Sequence, residues 1–153
     1  MKKIFLIAAF IAGGCLFQSA NAQLRITLRA NIGSQPVWGP TGYDRAEYYY
    51  LPDIDVFYNV SRRQYVYEQR GRWIFSYELP RQYRNFDLYS GYKVVVNENR
   101  PYRNANMYRT KYASYKNNHG QENIRSSHDS RYYQIKDHPE HNNWKNNRNR
   151  KRN

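Results

Sequence analysis

The chain has 153 residues, 25 Lys and Arg against 12 Asp and Glu for a formal net charge of +13, 17 Tyr and a single Cys. One cysteine excludes a disulfide scaffold, and so basic a balance directs attention to anionic rather than cationic partners. The length allows one small core domain with additional segments rather than several domains.

Lys2 and Lys3 precede an apolar run from Ile4 to Ile11, and Ala20-Asn21-Ala22 follows it. A positive start, a short apolar stretch and a small-x-small site together predict a cleavable secretory signal peptide over residues 1–22, the mature chain beginning at Gln23. The apolar run is well short of the ~20 residues needed to span a bilayer. Gly13-Gly14 and Gln18-Ser19 interrupt it further. The alternative is lipidation at Cys15, which follows small residues but lacks the usual Leu three positions earlier, and which would anchor the protein to a membrane. Cleavage after Ala22 removes the only Cys. The expected location is therefore a bacterial periplasm, outer-membrane surface or extracellular space, with the fold held by its core alone.

Past the signal helix, the pattern predicts a mainly β protein: an antiparallel β-meander module of about 4–6 strands over residues 23–102. Leu24 to Ile32 alternates apolar and polar residues and reads as an edge strand. Gly33 to Gly42, with Pro36, Gly39 and Pro40, reads as a loop, and Glu47 to Leu51 as a strand stopped by Pro52. Asp53 to Val60 alternates, with Ile54, Val56, Tyr58 and Val60 on one face and Asp53, Asp55, Phe57 and Asn59 on the other. Gln64 to Glu68 and Arg72 to Glu78 complete a three-strand meander, the second turn being Arg70-Gly71, where glycine accepts a positive φ. Pro80 to Asn85 reads as one helical turn. Gly91 to Val96 reads as a last strand, its Val94-Val95-Val96 run suiting burial on both faces.

Composition then shifts. Residues 23–100 hold 11 basic and 8 acidic residues, whereas 101–153 hold 12 and 4. Residues 103–153 form a basic, Asn-rich tail whose only branched aliphatic residues are Ile124 and Ile135. So little apolar surface does not offset about 1–2 kcal/mol of backbone ordering per residue, and the tail is expected to be mostly disordered from Asn117 onward. A helical stretch is expected around Ala105 to Tyr115.

Tyr48-Tyr49-Tyr50-Leu51-Pro52-Asp53, Tyr65-x-Tyr67-x-x-x-Gly71-x-Trp73, Leu79-Pro80-x-x-Tyr83, Asp87-Leu88-Tyr89 and Lys93-Val94-Val95-Val96-Asn97 follow one another through the module. Together they resemble a family of small, uncharacterised secreted proteins found in Bacteroidota, over about Val37 to Tyr102. The resemblance implies a bacterial origin and an exported location, and implies no activity.

No catalytic constellation emerges, and the chain is read as a non-enzyme without a cofactor. Asp53 and Asp55, on one face of a strand, would lie roughly 7 Å apart, near the spacing of glycosidase carboxylates; a solvated face paired with Arg63 or Arg72 is the stronger reading. The module contains no His and no Cys, so a nucleophile–base pair would need a tail histidine. His138-x-x-His141 with Asp137 and Glu140 offers imidazole ligands, but no rigid frame, and no metal site is assigned. The tail is the better candidate: Lys145, Arg148, Arg150, Lys151 and Arg152 cluster with Tyr132, Tyr133 and Trp144 upstream as stacking groups, a composition suited to polyanions such as lipid head groups, anionic glycans or nucleic acid. The alternative is a carbohydrate- or cell-wall-binding module using Tyr65, Tyr67 and Trp73 as an exposed aromatic platform.

Overall fold

A computed structural model describes residues 30–151. The signal peptide, Cys15 and most of the expected Leu24–Ile32 strand lie outside the described residues, as does Arg152. The described chain opens instead on a short 3-10 turn, Ile32–Ser34.

Five strands form one antiparallel sheet: β1 (Tyr48–Leu51), β2 (Val56–Asn59), β3 (Gln64–Gln69), β4 (Arg72–Ser76) and β5 (Val94–Val96), in the order β4-β3-β2-β1-β5. The meander β2-β3-β4 matches the expectation from alternation. The β3–β4 hairpin closes on Arg70 and Gly71, with φ of 52° and 71°. Positive φ at both central residues is the geometry whose twist fits adjacent antiparallel strands. The expected Asp53–Val60 strand is shorter. Leu51 pairs directly with Val56, so Pro52 to Asp55 must turn the chain, and Asp55 takes φ 52° to do so.

β1 is buried along its whole length. Tyr48 and Tyr50 join Phe57, Val66, Val94 and Val96 on one face of the sheet, against Tyr102, Ala105 and Tyr108. Tyr49 and Leu51 join Val56, Tyr58 and Tyr65 on the other, against Trp38, Leu79, Tyr83, Phe86 and Leu88. Phe57, expected on a solvated face, is fully buried because helix α1 (Ala105–Lys111) lies over it. The second face is covered by loop and by the expected turn at Arg81–Tyr83. Gly39 is needed there: a Cβ would come within 2.6 Å of the Tyr49 hydroxyl and 3.0 Å of the Pro36 carbonyl.

The region after Tyr102 departs from expectation in two ways. Ala105 and Tyr108 share a core with the strands, so the boundary expected after Tyr102 falls inside packed structure. Residues beyond Asn117, expected to be disordered, also fold back as far as His141. Ile124, Tyr132 and Ile135 are buried with Ile32 and Val37 in a third cluster. Backbone pairing supplies what apolar area does not: Ile124 N–H donates to Gly39 C=O and Arg125 N–H to Val37 C=O, both at 2.8 Å. The Gln121 amide brackets Lys93, accepting from its N–H and donating to its C=O. Asn123 and Asp129 side chains accept from the N–H of Ser126 and Arg131, capping two short turns. The last element, helix α2 (His141–Arg150), has no buried residue.

Two outcomes test this packing. Ile124 is fully buried, so Ile124→Ala is expected to cost about 2–4 kcal/mol, read as a lowered urea midpoint; an unchanged midpoint would mean the segment contributes nothing to the fold. The second concerns pH. Burial raises the hydroxyls of Tyr49, Tyr50 and Tyr108, and raises Tyr65 to about 12. In the unfolded chain these groups ionise near about 10, so their contribution is fully present below pH 10 and falls as pH rises beyond it. Lys93 acts oppositely: burial lowers its ammonium to about 8, so its penalty eases between about pH 8 and 10.4. Urea midpoints followed by tryptophan fluorescence are expected to hold or rise slightly to pH 10 and to fall steeply above it.

Candidate functional site

Helix α2 carries most of the expected polyanion residues. A 3.6-residue repeat places Trp144, Lys145, Arg148 and Lys151 on one broad face and turns Arg150 away from it. Lys145, Arg148, Arg150 and Lys151 are exposed. The Arg148 guanidinium lies 5.3 Å from the Trp144 ring centre. The helix is seated at its first turn, where the His141 ring nitrogen donates to the Tyr133 carbonyl at 3.0 Å. Glu140 lies at the N-terminal end and every later charge is positive, the arrangement the helix dipole favours. Among the described residues, none of these four cations forms an ion pair, whereas Arg45, Arg109 and Arg131 each do.

The three-residue aromatic platform is not one surface. Tyr65 stands opposite Ser76, and Tyr67 opposite Ile74, whereas Trp73 stands opposite Glu68. Side chains opposite one another share a face and successive ones alternate, so Trp73 points away from Tyr65 and Tyr67. Tyr65 is buried, and the Trp73 ring sits 5.3 Å from Tyr102.

The acidic pair is also dispersed. Asp55 accepts from the Tyr50 hydroxyl at 3.1 Å and from Arg109 at 2.7 Å, and Arg109 reaches Glu68 at 3.0 Å. The partner is thus an arginine of α1, not Arg63 or Arg72 as expected from the strands. Asp53 instead accepts the Asn117 backbone N–H at 2.6 Å. His138 is buried with its Nδ1 accepting the Glu140 N–H, while His141 faces Tyr133. Among the described residues no three His, Cys, Asp or Glu side chains gather as a metal set.

A cleft that sequence reasoning missed lies between the Gly33–Trp38 loop and the segment around Arg125 to Asp137. Trp38, Tyr58 and Tyr89 contribute rings, and Arg63, Arg125 and Lys136 contribute cations. Trp38 packs edge-on to Tyr58 at 4.8 Å. Burial raises the Tyr58 hydroxyl, and the Arg63 guanidinium beside it opposes that rise. Arg125 lies over Tyr89 at 5.6 Å and reaches its hydroxyl at 3.4 Å. Buried Lys93 fixes the chain at Tyr89, its ammonium donating to the Leu88 and Tyr89 carbonyls at 3.1 and 3.2 Å. No local pattern announces this cleft, because Arg63 lies at the β2–β3 turn while Arg125 and Lys136 lie on a segment more than sixty residues later, brought to the Trp38 loop by tertiary packing.

No helix among the described residues is long and apolar enough to cross a membrane. The Arg109 cluster ties α1 to the sheet but is about a third exposed, so solvent weakens it. Arg109→Gln is expected to cost about 1 kcal/mol, measured as a shift in urea midpoint. No protein-family model, no curated protein and no solved structure matches the chain.

Proposed function

We propose that the protein is a non-enzymatic, exported envelope or surface protein that holds polyanions through its C-terminal helix. The carrying observation is that α2 presents Lys145, Arg148 and Lys151 beside Trp144, exposed and without ion-pair partners among the described residues. Unpaired cations interleaved with a ring gain affinity by releasing counterions from a polyanion, while the ring adds stacking or partial insertion. The export half of the reading rests on Lys2-Lys3, the Ile4–Ile11 run and Ala20-Asn21-Ala22, and on the likeness to exported proteins of Bacteroidota. Outside the cytoplasm, the available polyanions are phosphate-bearing lipids, acidic glycans and released nucleic acid.

The test compares the mature chain with its K145Q/R148Q/R150Q/K151Q variant. These side chains are exposed, so the fold is expected to persist, as judged by near-ultraviolet circular dichroism. Binding to anionic vesicles and to a soluble acidic polysaccharide is measured from 50 to 200 mM salt. The variant is expected to bind more weakly, with a salt slope shallower by about one unit for each cation engaged. Equal affinity and slope in the two proteins would remove α2 from the function. Mass spectrometry of the protein recovered from its native host then reads the N-terminus, expected at Gln23 rather than at a lipidated Cys15.

A further inference from the structure

The cleft formed by Trp38, Tyr58, Tyr89, Arg63, Arg125 and Lys136 combines two chemistries, cations and aromatic rings. Three cations face it against one carboxylate, Asp137. None of the three cations forms an ion pair among the described residues. Of the other clefts, two set two arginines against one glutamate, Arg62 and Arg100 with Glu47, and Arg81 and Arg84 with Glu78, and a third balances Asp55 and Glu68 against Arg70 and Arg81. Another holds Glu68 together with Arg103 and Arg109, and its Arg109 is already committed to Asp55 and Glu68.

The rings supply the second chemistry. Trp38 and Tyr89 are only partly buried, although each is anchored, Trp38 against Tyr49 and Tyr58 and Tyr89 beneath Arg125. A partly exposed ring on a fixed backbone suits the C–H face of a pyranose, while guanidinium groups offer bidentate donors to a carboxylate or phosphate. The open cleft has a volume of about 510 Å³, within the roughly 300–1,000 Å³ of ligand clefts.

We infer that this cleft is a binding site for an acidic saccharide, the sugar ring lying against Trp38 and Tyr89 and its carboxylate or phosphate held by Arg63, Arg125 and Lys136. The site is separate from α2 and does not depend on it. It gives the protein selectivity for charged sugars, which a string of helix cations alone lacks.

The experiment titrates the mature, isotope-labelled chain with trigalacturonate and with glucose 6-phosphate, following the Trp38 indole N–H resonance assigned through Trp38→Phe. A neutral trisaccharide and inorganic phosphate are the controls. At least one acidic sugar is expected to move the Trp38 signal saturably and at least tenfold more tightly than either control. R63Q/R125Q is expected to weaken that binding tenfold or more with the folded spectrum retained, since both side chains are exposed. The K145Q/R148Q/R150Q/K151Q variant is expected to leave it unchanged, which separates the failure of this site from the failure of α2. A response to inorganic phosphate as strong as to the acidic sugars would reduce the cleft to an anion site and overturn the proposal. So would equal binding of the neutral sugar, unaltered binding by R63Q/R125Q, or no response from Trp38 at all.

Discussion

Burial of β1 on both faces organises the rest of the molecule. Tyr48, Tyr49, Tyr50 and Leu51 are all buried, yet a strand sends successive side chains to opposite sides. A single layer packed on one side of the sheet would leave half of this strand in water. Two covers are therefore required, and they come from different segments: α1 and Tyr102 over one face, Trp38 and the Leu79–Leu88 stretch over the other. The phenols add a polar condition, because a buried hydroxyl needs a partner. Tyr49 donates to Gln35, itself almost wholly buried, and Tyr50 donates to Asp55. Tyr108 is the exception, its hydroxyl buried without a hydrogen-bond partner.

This two-sided demand explains which parts of the fold were legible in the sequence. The meander could be read because alternation and the Arg70-Gly71 turn are local signals, and β1 and β5 because unbroken apolar runs mark strands covered on both sides. Asp53 and Asp55 were misplaced because alternation continues through them while the register Leu51↔Val56 leaves them in the turn. The region after Asn117 was misread for a different reason. Composition measures how much apolar surface a segment has, not where it lands; two isoleucines and Tyr132 suffice when they enter one cluster with Ile32 and Val37. Its backbone groups are satisfied by distant segments, and nothing in a local window records that.

Charge is arranged by the same packing. Five of the twelve acids pair with arginine: Glu47 with Arg45, Asp55 and Glu68 with Arg109, Asp44 and Asp129 with Arg131. These exposed pairs contribute little stability each, and seven acids stand outside them among the described residues. The cations outside these pairs include those at the end of α2 and the three around the Trp38 cleft. The four α2 cations could be picked out from their clustering in the sequence; those of the cleft could not, since Arg63, Arg125 and Lys136 are distant from one another along the chain.

The abundance of tyrosine then has two separable consequences. Inside, large rings let a small sheet bury much area per residue, which a domain of this size without disulfides needs. Outside, the meander does not present Tyr65, Tyr67 and Trp73 as one platform, because strict alternation assigns Tyr65 and Tyr67 to one face and Trp73 to the other, although edge strand β4 leaves Phe75 exposed. Rings remain partly open where the sheet gives way to loops, at Trp38 and Tyr89, and there the chain also brings Arg63, Arg125 and Lys136 together. The carbohydrate and polyanion readings of the sequence are in that sense not rivals. The pairing of Val37 and Gly39 with Ile124 and Arg125 sets a cationic segment beside an aromatic loop, so one cleft carries both chemistries, while α2 carries charge with a single ring.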